Sequence, residues 1–372
     1  MGPVKGLPLF PASVVGSIPR PLHVRELIDK PVWDASDERT MDAAVRYVIS
    51  MQEMAGLDVV TDGEWRRRSY IGVIAELAHG FTLEVNPSDG RPWTIVTQKL
   101  TPKPPGFIAG EAKFLKSAAR VATKITLPAP ALLGERLWHP QRSRGAYPKR
   151  DDFVRDCVAP LRAEIELIQK IGIDIVQIDD PHLCLFVDPD VRRGFDDPDR
   201  AADFAVDMIN ALVEGFEGIK FAVHLCRRAG ARVRGEKHHA GTYGPILPQL
   251  NRLNVQHLTM EFTAAGADDL ESLARLRTDF ELGLGVVDVT PGTIDGVEAI
   301  VARVERALTR VDAARITLNP DCGFAPGSAA NVDVDEVYRK LCAQTQAARA
   351  LRASHSCALR ASHSSALRAS PA

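Results

Sequence analysis

The sequence predicts an α/β protein folded as a (β/α)8 TIM barrel, with an inserted hairpin and loop region over the carboxyl-terminal mouth. Eight short runs rich in Val, Ile and Leu alternate with amphipathic stretches along the 372 residues. Such nearly continuous apolar runs are typical of parallel strands buried on both faces. Polar residues follow nearly every run, where barrel enzymes carry their sites. The alternative is an open doubly wound sheet, but no glycine-rich nucleotide-binding motif follows any run.

The predicted strands share this apolar, β-branched composition and span residues 13–17, 58–61, 121–127, 173–178, 220–226, 255–262, 280–288 and 315–319. The predicted helices show helical apolar periodicity and span residues 39–55, 153–171, 201–217, 296–309 and 333–349. Ser36 is the expected cap of the first of these helices. Arg39 rather than Glu stands three positions later, so the capping box is incomplete.

Residues 1–349 are predicted to form one domain, in which the Pro- and Gly-rich stretch 71–120 is the insertion. Residues 350–372 contain the near repeat ALRASHSC, ALRASHSS, whose period of eight does not match a coiled-coil heptad. We expect this segment to be a solvated low-complexity tail without a functional role. Its residues His355, Cys357 and His363 are therefore not counted as candidate ligands.

The charge balance argues against two classes of partner. Lys and Arg number 46 and Asp and Glu 48, giving a net charge of -2. This balance favours neither nucleic-acid binding nor a polybasic membrane surface. There is no long apolar run typical of a membrane span and no signal-peptide pattern, so a cytoplasmic location is expected. The six cysteines are widely spaced and do not suggest a disulfide framework.

A candidate zinc site is the sharpest chemical signal in the sequence. His224 and Cys226 are two positions apart in a predicted strand, so their side chains point to the same face. The pair alone is more often two core residues than a ligand pair. Glu261 lies at the end of another predicted strand and Cys322 follows a third, and the four together provide the donors of a tetrahedral zinc ion.

This ligand set predicts chemistry on a substrate sulfur. Two thiolates and a carboxylate neutralise much of the zinc charge, which makes the ion poor at activating water and suited to holding a thiolate. Glu261 is the ligand expected to yield when a substrate thiol arrives. Glu64 and Asp179, which follow two further strands, can pair with a substrate ammonium. The pattern therefore predicts alkyl transfer to the sulfur of an amino-acid thiol.

These residues resemble the catalytic domain of cobalamin-independent methionine synthase, one of the uroporphyrinogen decarboxylase-like barrels. The resemblance covers most of the chain to about residue 350. The matching segments occur in family order and are VVGSIPRP (14–21), TDGEW (61–65), VQIDDP (176–181), HLC (224–226), MEF (260–262), GLGVVDV (283–289) and NPDCGF (319–324).

The resemblance implies a role for each matching residue. His224, Cys226, Glu261 and Cys322 match the family's zinc ligands. Ser17 matches a residue that contacts the homocysteine carboxylate, and Glu64 and Asp179 match the acids that bind its amino group. The implied reaction moves a methyl group from methyltetrahydrofolate, or a related folate or corrinoid-type donor, to homocysteine, giving methionine. Asp288 is expected to hold a water that protonates the leaving group.

The chain departs from the family's full-length members in three ways. They carry a second, amino-terminal barrel, which this sequence lacks. Thr290 stands where they have a histidine implicated in catalysis. Their folate-stacking tryptophan has no match, because Trp138 lies too far along segment 125–138. The chain is thus more similar to the short, single-barrel relatives called methionine synthase II.

Two other functions fit part of the pattern. Epoxyalkane:coenzyme M transferases resemble the family and use a similar ligand set, but coenzyme M has no ammonium for Glu64 and Asp179 to bind. A zinc-stabilised accessory protein without activity is the third reading. A closed structural site containing a carboxylate would be unusual.

Overall fold

The computed structural model describes residues 6–85, 92–227, 239–263, 266–325 and 333–368, with side chains up to residue 355. Seven parallel strands form one sheet in the order β1-β4-β5-β6-β7-β8-β9. The bounds of each strand lie close to those of a predicted strand. The seven strands are β1 Val59–Val60, β4 Ala122–Pro128, β5 Ile175–Asp179, β6 Lys220–Leu225, β7 His257–Glu261, β8 Glu281–Val287 and β9 Ile316–Pro320. The remaining two strands, β2 Ala78–Val85 and β3 Pro92–Pro102, form a separate sheet.

The first strand, predicted at 13–17, is limited to two bridge residues at 12 and 13, which close the barrel. Ala12 forms a parallel bridge with Leu318 of β9, and Ser13 forms one with Val59 of β1. The amide of Ser13 donates to the Leu318 carbonyl at 2.9 Å. The segment therefore joins the two edges of the seven-stranded sheet, and the predicted (β/α)8 barrel is confirmed.

The strands are buried on both faces, as their apolar runs predict. All residues of β5, β6, β7 and β9 are buried, because helices cover the outer face and the opposite strands cover the inner face. Parallel strands bring their carboxyl ends to the same mouth of the barrel. The residues that follow the strands are therefore brought together there.

An antiparallel hairpin lies in the predicted insertion. Strand β2 pairs with β3, and the short helix α3, Ile74–Leu77, precedes them. The amide of Leu100 donates to the Tyr147 hydroxyl at 2.9 Å, and the Trp93 indole donates to the Arg136 carbonyl at 3.1 Å. These contacts anchor the hairpin to the segment that leaves the carboxyl end of β4.

The helices alternate with the strands around the barrel. They are α1 Leu22–Asp29, α2 Ala35–Ala55, α4 Phe107–Ala118, α5 Pro130–Leu137, α6 Arg150–Asp156, α7 Val158–Ile171, α8 Pro181–Leu185, α9 Pro189–Arg192, α10 Pro198–Val213, α11 Leu247–Leu250, α12 Leu270–Arg275, α13 Val297–Leu308 and α14 Val334–Arg368. Among these helices of the described chain, none combines the length and apolar composition needed to cross a membrane.

Two helical predictions need correction. The cap of α2 is Asp34, not Ser36: its carboxylate accepts from the amides of Ser36 and Asp37, and Asp37 completes a capping box. The helix predicted at 153–171 is two helices, because the chain breaks between α6 and α7 at Cys157.

Helix α14 continues through the near repeat without a break at residue 349. Leu351 is fully buried, and the Arg352 guanidinium donates to the carbonyls of Leu9 at 2.7 Å and Phe10 at 3.0 Å. The ring of His355 packs against Phe10 with centroids 4.9 Å apart. The first residues of the repeat thus pack on the segment that closes the barrel.

Candidate functional site

Three of the four predicted metal ligands meet at the mouth of the barrel. His224 lies near the end of β6, Cys226 directly after it, and Cys322 shortly after β9. One ligand atom from each lies within 4.8 Å of the other two, and all three residues are buried. The two Sγ atoms are 3.1 Å apart. The i, i+2 spacing and the parallel strand ends bring these three side chains together, and we call them the metal cluster because they could hold an ion.

His224 is in the state that a metal ligand requires. Neither ring nitrogen makes a hydrogen bond of good geometry within the described chain, although the Thr259 backbone lies close. Burial, with a smaller contribution from the Lys124 charge, lowers the pKa of His224 to about 3. The ring is therefore neutral and has a free lone pair. A buried imidazole without a partner beside two thiols fits a zinc ion.

Glu261 lies beside the metal cluster as the last residue of β7. Its Oε1 is 3.5 Å from the Cys226 Sγ and accepts a hydrogen bond from the Arg227 amide at 2.8 Å. The Tyr243 hydroxyl donates to the Glu261 carbonyl at 3.0 Å. The carboxylate thus has a partner of its own in the chain that follows Cys226.

Glu64 is a buried acid held in a strained conformation. Its φ of 61° lies in the left-handed region, which non-glycine residues seldom adopt and which is often found at functional sites. Its Oε1 accepts from the Thr126 hydroxyl at 2.7 Å. A Cβ on Gly16 would lie 2.6 Å from this oxygen, so only glycine lets the carboxylate approach the first segment. Burial raises the pKa of Glu64.

Asp179 is the second buried acid, at the end of β5. Its Cα is paired in register with that of His224 on the neighbouring strand. Burial, and next the charge of Glu64, raise the pKa of Asp179 to about 8. Two desolvated acids, of which Glu64 disfavours the ionisation of Asp179, make a site where a cation is stabilised.

Ser17 reaches the same region from the barrel's first segment. Its carbonyl accepts from the Phe324 amide at 3.0 Å. A side chain on Gly323 would collide with the Ser17 hydroxyl, which therefore lies against the residue that follows Cys322. Ser17 and the metal cluster are thus close neighbours across the β9 end.

Asp288 follows β8, as predicted, and its Oδ1 accepts from the Thr290 amide at 2.8 Å. Its own amide donates to Asp295 at 3.0 Å, and Lys340 donates to the carbonyls of Asp288 and Thr290 at 3.0 and 2.6 Å. These bonds fix the loop after β8. The role of Asp288 in proton transfer stays a prediction.

The arginines after Glu64 have structural partners. Arg67 is buried and pairs with Glu111 at 2.8 Å, while its NH1 donates to the Thr126 hydroxyl at 3.0 Å. Arg66 pairs with Asp42. Arg67 is therefore buried and helps to hold Glu64 in place through Thr126.

Sequence reasoning missed Thr126, Lys124 and Gln177. All three are buried in strands that read as apolar runs. The available signal was their period of two: Lys124 and Thr126 alternate with apolar residues, as Gln177 and Asp179 do.

Known proteins are similar to this chain over nearly its whole length. Residues 10–349 match the family described as "Cobalamin-independent synthase, Catalytic domain". A methionine synthase of Saccharolobus islandicus (strain L.S.2.15 / Lassen #1) is 29% identical over 331 residues, covering 86% of this chain and 89% of the relative. One of Pyrococcus furiosus is 26% identical over 360 residues, covering 93% and 94%.

Solved structures of low sequence identity share the fold. A B12-independent methionine synthase from Shewanella sp. W3-18-1, solved in complex with selenomethionine, has a TM-score of 0.74 and 22% identity, covering 93% of this chain and 98% of that one. A putative vitamin-B12 independent methionine synthase from Listeria monocytogenes has a TM-score of 0.68 and 23% identity, covering 93% and 99%.

Proposed function

The chain belongs to the cobalamin-independent methionine synthase family, and on that premise we propose that it transfers a methyl group to the sulfur of homocysteine, forming methionine. The observation that carries the proposal is the buried cluster of His224, Cys226 and Cys322 at the barrel mouth. Two thiols and a neutral imidazole are donors that suit zinc.

In this proposal, zinc is held by His224, Cys226 and Cys322, with Glu261 as the fourth ligand. When bound, zinc lowers the pKa of a substrate thiol so that the nucleophilic thiolate is populated at neutral pH. The Glu261 Oε1 accepts a hydrogen bond from the Arg227 amide at 2.8 Å. The carboxylate would therefore keep a hydrogen-bond partner if a substrate thiol took its place at the metal.

The amino-acid end of homocysteine is bound by the residues beside the cluster. Glu64 and Asp179 bind the substrate ammonium, whose positive charge favours the ionised form of these two buried acids. Ser17, whose hydroxyl lies next to Gly323, binds the substrate carboxylate. Fixing both groups orients the sulfur toward the donor methyl carbon, which lowers the entropic cost of the transfer.

The methyl donor is methyltetrahydrofolate or a related methylated compound. Loss of the methyl group leaves a donor that must be protonated. The half-buried carboxylate of Asp288 holds a water for this step.

Zinc-edge X-ray absorption of the purified protein tests this function. We expect two sulfur ligands without substrate and three with L-homocysteine, because the substrate thiol replaces the Glu261 carboxylate. Two sulfurs with homocysteine but three with coenzyme M would favour the transferase that uses coenzyme M. A protein without zinc would contradict the metal site.

Two serine variants of buried cysteines provide a matched control. Cys322→Ser should lose most of its zinc and its methionine formation, because a hydroxyl is a poor ligand for this ion. Cys157→Ser, at the break between α6 and α7, should retain zinc and activity. Equal zinc content in both variants would place the metal elsewhere.

A further inference from the structure

Two buried polar side chains in the barrel interior have no role in the chemistry proposed above. Lys124 of β4 is 3% exposed and Gln177 of β5 is 0% exposed. The Lys124 Nζ donates to the Gln177 Oε1 at 3.0 Å. Burying an ammonium inside a barrel costs free energy. The hydrogen bonds that Lys124 makes must offset this cost.

Both side chains bond to the segment that closes the barrel. Lys124 donates to the carbonyl of Val14, and the Gln177 Nε2 donates to the carbonyl of Val15 at 3.0 Å. Within the described part of the chain, this segment pairs with neighbouring strands only at Ala12 and Ser13. Lys124 and Gln177 therefore bond the backbone that leads from this short strand to Gly16 and Ser17.

Gln177 also holds Asp179. Its Nε2 donates to the Asp179 Oδ1 at 2.7 Å. Because the Val15 carbonyl can only accept, the Gln177 amide nitrogen must face Val15 and Asp179, and the amide oxygen must face Lys124. The orientation of the amide is thus fixed, and it donates to one oxygen of Asp179.

We infer that Lys124 and Gln177 are positioning residues that set the distance between Ser17 and Asp179, and so select a thiol that carries both a carboxylate and an ammonium. The inference rests on the proposed function, because it concerns how the same site recognises its substrate. Lys124 and Gln177 act through Ser17 and Asp179 and do not touch the substrate.

Lys220 provides a matched control. It is a second buried lysine inside the barrel, and Ile175 of β5 is paired in register with both lysines. Its Nζ pairs with Glu281 at 2.6 Å and not with the Ser17 segment. Removing either lysine disturbs the barrel interior, but only Lys124 is connected to Ser17 and Asp179.

Calorimetric titration of the zinc-loaded full chain tests the inference, with two ligands. L-homocysteine engages the sulfur and amino-acid ends, whereas 1-propanethiol has only the sulfur. Lys124→Met and Gln177→Met should weaken L-homocysteine binding by about tenfold or more and change propanethiol binding by less than about twofold. Lys220→Met should change both affinities by less than about twofold. Zinc content should be the same in all variants.

Each other outcome decides something different. If wild type prefers L-homocysteine and the Lys124 and Gln177 variants keep that preference, the inference is wrong and the proposed function stands. If wild type binds both thiols equally, recognition of an amino-acid thiol is wrong, and the inference fails with it. If Lys124→Met does not fold, Gln177→Met, similar in volume but without the amide, decides the question alone.

Discussion

At the scale of single residues, Asp179 is predicted to lower the stability of the folded protein, although the same residue is proposed to bind substrate. Its pKa is raised to about 8, so the folded protein keeps a proton that the unfolded chain releases. Stability therefore falls as pH rises from about 4 to about 8. Asp179→Asn should remove this loss, gaining at least about 1 kcal/mol over wild type between about pH 5 and about pH 8.

Thermal unfolding of wild type and Asp179→Asn across this pH range measures the difference in stability. Titration with homocysteine measures the loss of substrate affinity in the variant. We expect the variant to be relatively more stable at the higher pH and to bind homocysteine more weakly. Parallel pH curves would show that Asp179 is ionised in the folded protein.

The Arg67–Glu111 pair is a second residue-scale case. Both side chains are buried, and burial raises the pKa of Glu111 to about 7 although Arg67 opposes this. Arg67→Met leaves a buried acid alone and should cost about 3–5 kcal/mol of unfolding free energy. Arg67→Met with Glu111→Met should recover most of that loss in urea denaturation. A double variant as unstable as the single one would mean that the Thr126 contact, not the charge, matters.

At the scale of elements, the start of α2 is set by Asp34. Its carboxylate accepts from the Asp37 amide at 2.9 Å and from the Ser36 amide at 2.6 Å. Asp34→Ala should therefore cost about 1 kcal/mol of unfolding free energy. Ser36→Ala, two positions further on, should change it by less than about 0.5 kcal/mol. Chemical denaturation compares them, and equal losses would contradict the cap assignment.

The elements that the sequence predicted are those whose signal is local. Eight apolar runs predicted eight strands, because burial on both faces leaves few polar positions. The break at Cys157 was missed, although Pro160 in the first turn of α7 was a signal, since proline is tolerated only there. The meeting of His224, Cys226 and Cys322 was predictable from the spacing of the first two together with the position of Cys322 after another strand. The roles of Lys124 and Gln177 were not, because their partners lie far away in the chain.

At the scale of the whole molecule, the first residues of the near repeat pack against the barrel. Ending the chain after residue 349 removes Leu351 and Arg352, which pack on the barrel's closing segment. We expect a loss of at least about 2 kcal/mol, as for deletion of a buried leucine. A chain that ends after residue 355 keeps these contacts, so its midpoint of thermal unfolding should be higher than that of the shorter chain. Equal midpoints for the two truncations would show that these contacts contribute nothing.

The short first strand has a consequence for the order of folding. Ser13 pairs with Leu318, nearly the whole chain away, and contacts of such sequence separation form late because loop closure is entropically costly. Ser17 follows one side of this junction and Cys322 the other. We therefore expect the proposed substrate and metal sites to be completed only when this junction forms, late in folding.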